Sequence, residues 1–271
     1  QKRLATISIK GYDDYIDYLE VHPGEFAKLF DTILINVTSF FRDKLAWEYL
    51  RTEVIPKIIS NKGATEIIRV WCVGCASGEE AYSLAMLLAE ALGEDVYRNR
   101  VKIYATDIDE GALVQARQAL YSAGALEKVE PALRKKYFTE TNDGFVFRSE
   151  VRRQVIFGRH DLIQDPPISR LDLLTCRNTL MYLNADTQLN ILQRLHFGLR
   201  SDGYLFLGKA EMMLTRTKLF SPVELKHRVF SKVSETYERG QYSSLQLRHS
   251  AEDKSLDPHL LLWESALDAI D

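Results

Sequence analysis

The residues best suited to chemistry in this chain lie in a loop between a predicted strand and a predicted helix. The strand is the apolar run 67–73, the helix begins near Glu79, and Gly74 and Gly78 lie between them. Glycine has no Cβ, so a ligand can approach the loop backbone closely. Strand, glycine loop and helix in this order build the nucleotide pocket of many α/β sheets.

Two carboxylates at the start of this helix restrict the kind of nucleotide. Glu79 and Glu80 occupy the place where a pyrophosphate would bind, and they would repel it. They suit a ligand with hydroxyl groups and positive charge but no phosphate, a description that S-adenosylmethionine fits. The loop also has only two glycines, whereas a nicotinamide dehydrogenase, the main alternative, requires the three of G-x-G-x-x-G.

A second predicted strand, 101–106, is followed by Asp107. An acidic residue at the carboxyl end of the second strand accepts hydrogen bonds from ribose hydroxyls. Alternatively, Glu79 and Glu80 only stabilise the helix by interacting with its dipole, and Asp107 only caps the next helix. Because these acids follow consecutive strand ends, their combination favours a nucleoside site.

The cysteines indicate neither a metal site nor a disulfide framework. Cys72 and Cys75 form a C-x-x-C motif, and Cys176 is the third cysteine. Zinc would need two more ligands, and neither a second C-x-x-C nor an H-x-x-x-H is present. We therefore predict no metal, and small buried thiols that suit the reducing cytoplasm.

Composition agrees with a compact enzyme. Of the 271 residues, 46% are hydrophobic, and the net charge is −3, which argues against a general nucleic-acid binder. No apolar run approaches the roughly 20 residues of a membrane span, and no signal peptide is visible. We expect a cytoplasmic protein without direct membrane insertion.

The chain divides into three predicted regions. Residues 1–62 have helical periodicity and form a small N-terminal helical domain, in which Asp43 caps a helix that ends near Pro56. Residues 63–233 alternate strands and helices, which predicts an α/β fold with a doubly wound, mostly parallel sheet. Residues 234–271 are a tail or a linker to a further domain.

The elements of the middle region follow from its periodicity. Strands are predicted at 67–73, 101–106, 154–158, 171–176, 203–208 and 227–232. Helices are predicted at 79–92, 109–119, 130–136 and 185–200, the last ended by Asp202 and Gly203. The turn signal Asn142-Asp143-Gly144 predicts a short β-hairpin excursion near 138–150.

Four segments resemble the CheR family of chemotaxis methyltransferases, which methylate receptor glutamates with S-adenosylmethionine. The segments are 36–43, 74–83, 105–109 and 176–182, and the resemblance runs from about residue 10 to residue 233. The sequences of 176–182 and 208–211 look most similar to those of CheR domains in CheB–CheR fusion proteins. The resemblance implies a Rossmann-like methyltransferase fold and S-adenosylhomocysteine as the cofactor product.

The resemblance also implies roles for particular residues. The cofactor-binding residues would be Asn36, Thr38, Arg42, Gly74, Glu80, Asp107, Asp161, Leu162, Asn178 and Thr179. Arg42 and Tyr182 would be catalytic. Asp161 stands where the family usually has asparagine, and it can still accept from the adenine amino group. From the residues alone, Arg42 could form a surface ion pair with Asp43 or Glu48, and Tyr182 could simply pack beside its neighbours.

A glutamate acceptor needs no general base, because its ordinary pKa of about 4.3 leaves it anionic at neutral pH. The enzyme must align the carboxylate with the methyl group and exclude water. The guanidinium of Arg42 suits this task, since it grips a carboxylate through a planar fork.

The acceptor is predicted to be a chemoreceptor-like helical signalling protein, with fused signalling domains as a further expectation. A cluster of basic residues either docks an acidic partner or is an ordinary solvated surface. It consists of Arg134, Lys135, Lys136, Arg148, Arg152, Arg153 and Arg159.

The sequence departs from the family where Lys209 replaces a histidine and Ala81 a proline. These departures keep a second function open, a catalytically weak S-adenosylmethionine-binding sensor or scaffold module; methylation of a small molecule is weaker because no substrate lid is evident.

Overall fold

A computed structural model describes residues 4, 6–7, 9, 11–22, 24–25, 29, 38–209, 211 and 218–233. Asn36 and the predicted tail at 234–271 lie outside the described residues, as does most of the chain between 23 and 37. The boundary between a helical domain and a methyltransferase domain at residues 62 and 63 stays a prediction.

A seven-stranded sheet forms the centre of the fold. Its strands are β1 (Ile68–Val73), β2 (Val101–Asp107), β6 (Val155–Arg159), β7 (Leu171–Cys176), β8 (Leu199–Leu207), β9 (Phe220–Glu224) and β10 (Val229–Lys232). The spatial order is β6-β2-β1-β7-β8-β10-β9. The first five are paired in parallel, whereas β10 is antiparallel to both β8 and β9. The predicted doubly wound, mostly parallel sheet is confirmed.

The sheet is covered on both faces. Along β1 the side chains alternate between two apolar clusters, with Val70 and Cys72 in one and Trp71 and Val73 in the other. This alternation follows from the two-residue period of a strand. All six residues of β7 are buried as well, as expected for a strand between two helical layers. The order of the strands reverses between β1 and β7, and in open α/β sheets ligands bind at such a point, outside the carboxyl ends of the strands.

Helices flank the sheet and precede it. Those of the described residues run over Tyr12–Val21, Lys44–Tyr49, Ile55–Ser60, Glu79–Leu92, Glu94–Arg100, Glu110–Gln118, Pro131–Tyr137, Ser149–Arg152 and Ala185–Gly198. None of the described helices has the length and apolar character that crossing a membrane requires.

The predicted β-excursion has three strands rather than two. The turn after Thr141 joins β4 (Phe138–Thr141) to β5 (Gly144–Phe147), as the Asn142-Asp143-Gly144 signal predicts. A short strand, β3 (Leu120–Tyr121), pairs with the other edge of β5. Two residues are too few to give a periodic signal, so sequence did not reveal β3.

Two predicted helix ends were wrong. The helical segment after Asp43 continues from Lys44–Tyr49 through a π-helical turn, Leu50–Val54. It then extends past Pro56 and ends at Ser60. Pro56 lies in the first turn of Ile55–Ser60, where a missing N–H costs little. The helix predicted to reach residue 200 ends at Gly198, and Gly203 lies inside β8, where a Cβ would lie 2.8 Å from the carbonyl oxygen of Leu171.

The N-terminal residues share a core with the sheet. Phe40 is fully buried, with its ring edge-on to Tyr121 at 4.9 Å and to Phe138 at 5.5 Å between centroids. Trp47 packs in the same way on Phe206 of β8, at 5.6 Å. The segment before the sheet is therefore held against both the excursion and the sheet.

We predict that Phe40→Ala lowers the free energy of unfolding by about 3–5 kcal/mol, because it removes a fully buried ring and leaves a cavity. Urea denaturation of the whole chain measures this. Leu45→Ala is the matched control: Leu45 is 69% exposed, and its truncation should change stability by less than about 0.5 kcal/mol. Equal effects of the two substitutions would contradict the packing described above.

Candidate functional site

The predicted site residues meet at the carboxyl edge of the central strands. Gly74 follows β1, Asp107 is the last residue of β2, and Asn178 and Thr179 follow β7. These three strands are neighbours in the sheet. The structure therefore brings together residues that are up to about a hundred positions apart in sequence.

Gly74 and Thr179 fit against each other closely. Gly74 has a φ of 64°, and a Cβ there would lie 2.2 Å from Oγ1 of Thr179. The Thr179 N–H donates to Oε1 of Glu211 at 3.0 Å. Burial raises the pKa of Glu211, whose other carboxylate oxygen has no hydrogen-bond partner among the described residues. Both the positive φ and the lack of space require glycine at 74.

Asp107 holds the loop that follows β1. Its Oδ2 accepts the N–H of Ala76 at 2.7 Å, and its Oδ1 accepts that of Asp109 at 3.0 Å. Burial raises the pKa of Asp107, although these backbone hydrogen bonds oppose the rise. The next helix is capped by Asp109, whose side chain accepts from Ala112 at 3.1 Å. The alternative that Asp107 caps this helix is therefore wrong.

The two glutamates at the helix start have different surroundings. Glu79 is buried and accepts from the hydroxyl of Ser77 at 2.8 Å, and burial raises its pKa. Glu80 accepts from the hydroxyl of Thr175 in β7 at 2.7 Å. Thr175 thus orients Glu80 from a neighbouring strand, at the edge where the cofactor pocket is expected.

Arg177 is a buried residue among the predicted site residues, and sequence reasoning did not single it out. Its side chain is only 1% exposed, and its Nη2 donates to Oδ2 of Asp43 at 2.8 Å and to the Arg42 carbonyl oxygen at 3.0 Å. Its Nη1 lies 3.5 Å from Oε2 of Glu80. The guanidinium also lies 4.6 Å from the ring centroid of Phe206. One buried cation therefore connects the N-terminal segment to the helix start.

Asp43 occupies the predicted N-cap position, directly before the helix Lys44–Tyr49, but its side chain does not cap that helix. Its φ is 67°, and its side chain makes no capping hydrogen bond. Besides Arg177, it contacts Nζ of Lys209 through Oδ1 at 2.9 Å. Burial would raise the pKa of Asp43, but the hydrogen bond from Lys209 and the charges of Arg177, Lys209 and Arg42 lower it below its ordinary value. Asp43 is accordingly a fixed anion among cations.

Three cofactor contacts are predicted from the N-terminal segment, and the structure describes two of them. Thr38 and Arg42 are half-buried, and Asn36 lies outside the described residues. Glu48, which sequence offered as an ion-pair partner of Arg42, has its carboxylate paired with Arg51. The Phe41 N–H donates to the hydroxyl of Ser83 at 3.1 Å, which attaches this segment to the helix behind the glycine loop.

Asp161 and Leu162 follow β6, the strand that neighbours β2 in the sheet. Oδ1 of Asp161 accepts the N–H of Ile163 at 2.8 Å, so part of its carboxylate closes a local turn. Leu162 is half-buried against the cluster that contains Trp71, and its carbonyl oxygen accepts from Arg194 at 3.0 Å.

Tyr182 does not pack in the core. It lies in a 3₁₀ turn, Leu180–Tyr182, in which Leu180 is buried and Tyr182 is 41% exposed. This exposure is compatible both with a catalytic role and with packing beside Met181 and Leu183 with the hydroxyl reaching solvent, so the role of Tyr182 stays a prediction.

The thiols are unreactive by environment. Cys72, Cys75 and Cys176 are free and buried, and burial raises the pKa of each thiol well above its ordinary value. Within the part of the chain that the structure describes, no group of three or more histidine, cysteine or acidic residues could hold a metal ion.

The sheet order and the acid-lined glycine loop define a Rossmann-like methyltransferase that uses S-adenosylmethionine. The residues present fit this cofactor: the glycine loop follows β1 at the strand edge, while Asp107 and Glu80 supply anions and acceptors for a cationic nucleoside. The cofactor supplies the electrophilic methyl group; the chain supplies its orientation.

The chain belongs to the CheR family: the model described as CheR methyltransferase, SAM binding domain, matches residues 36–229. A chemotaxis protein methyltransferase of Borreliella burgdorferi is 32% identical over 223 residues, covering 78% of each chain. One of Listeria innocua is 35% identical over 218 residues, covering 79% of this chain and 81% of that protein.

A longer relative is also similar. An uncharacterized 104.1 kDa protein of Rhodobacter capsulatus is 34% identical over 230 residues, which are 85% of this chain but 24% of that protein. Among solved structures, a TehB-like SAM-dependent methyltransferase of Corynebacterium glutamicum is 12% identical, with a TM-score of 0.37, and covers 79% of this chain and 99% of its own.

We predict that Arg177→Met lowers the free energy of unfolding by about 3–5 kcal/mol, because it leaves Asp43 and Glu80 without their buried cation. Arg177→Lys should restore only part of this, since an ammonium cannot reproduce the planar fork. Urea denaturation provides the measurement.

Arg51→Met is the control for this experiment. Arg51 is paired with Glu48, but its side chain is 53% exposed, so its loss should cost about 0–1 kcal/mol. If Arg177→Met is as mild as this control, the buried cluster does not hold the site together.

Proposed function

We propose that the chain transfers a methyl group from S-adenosylmethionine to glutamate side chains of a chemoreceptor-type signalling protein in the cytoplasm. The observation that carries the proposal is the separation of charge at the site. Carboxylates of Asp107 and Glu80 line the strand edge, while the charges of Arg42 and the exposed Lys209 act beside it, near Asp43. Such a site suits a cationic donor and an anionic acceptor.

We assign the cofactor to the strand edge and the loops that follow it. Asp107 accepts from the ribose hydroxyls, Glu80 faces the positive end of the cofactor, and Asp161 and Leu162 border the adenine. The remaining contacts in the proposal are Asn36, Thr38, Arg42, Gly74, Asn178 and Thr179. Asp107 has room for a further donor, because each carboxylate oxygen has more than one lone pair.

Arg42 and Tyr182 are the proposed catalytic residues. The acceptor is already a carboxylate, so the step consists of its attack on the methyl carbon as the bond from carbon to sulfur breaks. Arg42 orients the acceptor, and its backbone is fixed by the hydrogen bond from Arg177 to its carbonyl oxygen. The Tyr182 hydroxyl acts close to the transferred methyl. Alignment and exclusion of water then account for the rate.

The proposed partners are a helical chemoreceptor and signalling domains fused to this chain. Fusion is supported by the longer relative, of which this chain spans 24%. The alternative function, a catalytically weak cofactor-binding sensor or scaffold, is favoured by the replacement of the family's histidine by Lys209. The presence of Arg42, Asp107 and Asn178, which match the family's motifs, favours catalysis.

We predict that Asp107→Ala weakens binding of S-adenosylhomocysteine by about 1.5–3 kcal/mol, the range for losing hydrogen bonds to a charged group. Calorimetry measures this, with thermal unfolding to show that the variant is folded. Asp143→Ala removes an exposed acid in the turn of the excursion and should leave affinity unchanged. Unchanged affinity in a folded Asp107→Ala variant would remove Asp107 from the site.

The decisive experiment is transfer of a labelled methyl group to proteins of a cell lysate, followed by mild alkali. A glutamyl methyl ester is hydrolysed and loses its label, whereas an N-methyl group is retained. We expect base-labile label on a receptor-sized protein. Tight cofactor binding without any transfer would favour the sensor or scaffold, and base-stable label would contradict glutamate as the acceptor.

A further inference from the structure

The backbone of the glycine loop, residues 74–78, is strained and depends on its surroundings. Gly74, Ala76 and Gly78 all have positive φ angles, of 64°, 45° and 94°. Ala76 carries a Cβ, and a positive φ is unfavourable for residues that do. Strained backbone of this kind persists only where neighbouring groups hold it. The contacts made to this loop therefore decide whether it keeps the shape that the cofactor meets.

Two of the contacts that hold the loop come from β2. The Cys75 N–H donates to the carbonyl oxygen of Thr106 at 3.0 Å, and the Ala76 N–H donates to Oδ2 of Asp107 at 2.7 Å. Both act on backbone donors in the first part of the loop. Neither reaches the carbonyl oxygen of Ser77, which lies just before the helix start.

The hydroxyl of Tyr121 reaches that oxygen from the excursion. It donates to the carbonyl oxygen of Ser77 at 2.7 Å. A Cβ at Gly78 would lie 3.2 Å from the same hydroxyl oxygen, so the loop and the tyrosine are in close contact. Building on the cofactor assignment of the proposed function, we propose that Tyr121 is a positioning residue for S-adenosylmethionine, which holds the glycine loop in its binding conformation from outside the central sheet.

Tyr121 is itself held firmly in place. It belongs to β3, where it pairs with Phe145 of β5. Its ring is edge-on to Phe40 at 4.9 Å between centroids, and only 6% of the residue is exposed. The tyrosine thus joins the excursion, the N-terminal segment and the glycine loop at one point. A donor on a well-packed ring can hold a strained loop, because the donor itself does not move.

The hydroxyl of Tyr121 acts as a hydrogen-bond donor and not as an acid or a base. Burial raises the pKa of Tyr121 well above its ordinary value, and the nearby Tyr82, Glu79 and Cys75 act in the same direction. The phenol therefore stays protonated at neutral pH. Its proton is committed to the carbonyl oxygen of Ser77, so Tyr121 acts on the cofactor through the loop.

The test is Tyr121→Phe, which removes the donor and keeps the ring, with calorimetry of S-adenosylhomocysteine binding to the whole chain. Without the hydrogen bond the loop populates other conformations, and the fraction that is competent to bind falls. We expect the dissociation constant to rise about two- to tenfold, the scale of one net hydrogen bond. Thermal unfolding shows whether the variant is folded.

Tyr97→Phe is the matched control. Tyr97 is fully buried, and its hydroxyl donates to the carbonyl oxygen of Val151 at 3.1 Å, in the helix Ser149–Arg152. Its removal also costs a buried hydrogen bond, but one outside the glycine loop, so the affinity for S-adenosylhomocysteine should be unchanged. If Tyr97→Phe weakens binding as much as Tyr121→Phe, global stability is responsible and the proposal fails.

Hydrogen exchange of the ligand-free chain gives a readout that needs no cofactor. Tyr121→Phe should accelerate exchange of the amides of residues 75–82, because the loop opens locally more often, whereas Tyr97→Phe should not. Saturating S-adenosylhomocysteine should remove the difference between Tyr121→Phe and the wild type. Unchanged exchange of these amides, or unchanged affinity in a folded Tyr121→Phe variant, would overturn the positioning role.

Failure of the proposed function has a different signature. A wild-type chain that does not bind S-adenosylhomocysteine would refute the cofactor assignment, and the role of Tyr121 with it. Absence of base-labile methylation, with the expected affinities and exchange rates obtained, would refute glutamate transfer alone and leave the role of Tyr121 supported.

Discussion

The site depends on a guanidinium that water does not reach. Arg177 must satisfy its charge inside the protein, and it does so through Asp43, the carbonyl oxygen of Arg42 and Glu80. A buried charge without partners is too costly to retain. The N-terminal segment and the helix start are therefore brought to fixed positions around it, and the strand β7, which ends directly before Arg177, sets the place of both.

Two further contacts strengthen the same arrangement. Ser83 accepts the N–H of Phe41 and donates to the carbonyl oxygen of Glu79, so the helix behind the glycine loop is hydrogen-bonded to the N-terminal segment. Thr175 orients Glu80 from inside the sheet. The cofactor loop is thus supported from several directions before any ligand binds, and such preorganisation reduces the cost of ordering side chains on binding.

Sequence predicted the parts of the fold that carry a local signal. The apolar runs of β1 and β7 and the glycine loop are continuous patterns, and the structure has them where they were predicted. Local reasoning failed where a distant contact decides the outcome. Asp43 has the sequence context of a helix cap, but Arg177, more than a hundred residues away, takes its carboxylate.

The same distinction applies to the site. Asp107 and Gly74 were accessible to sequence reasoning because strand ends and glycines are visible in a single segment. Arg177 lies within one of the quoted motifs, yet nothing local shows that it is buried or that it contacts three other segments. Lys209 was noticed only as a replacement, since its proximity to Asp43 depends on the packing of Gly208 against Asn178.

The burial of all three cysteines has a practical consequence for following this protein in solution. Thiol-directed probes react with accessible thiolates, and Cys72, Cys75 and Cys176 are both enclosed and held protonated. The native chain therefore behaves towards a maleimide dye as though it contained no cysteine. A single cysteine introduced at an exposed position such as Leu45 would carry the only fluorophore, and the native sequence of the strand edge would remain intact.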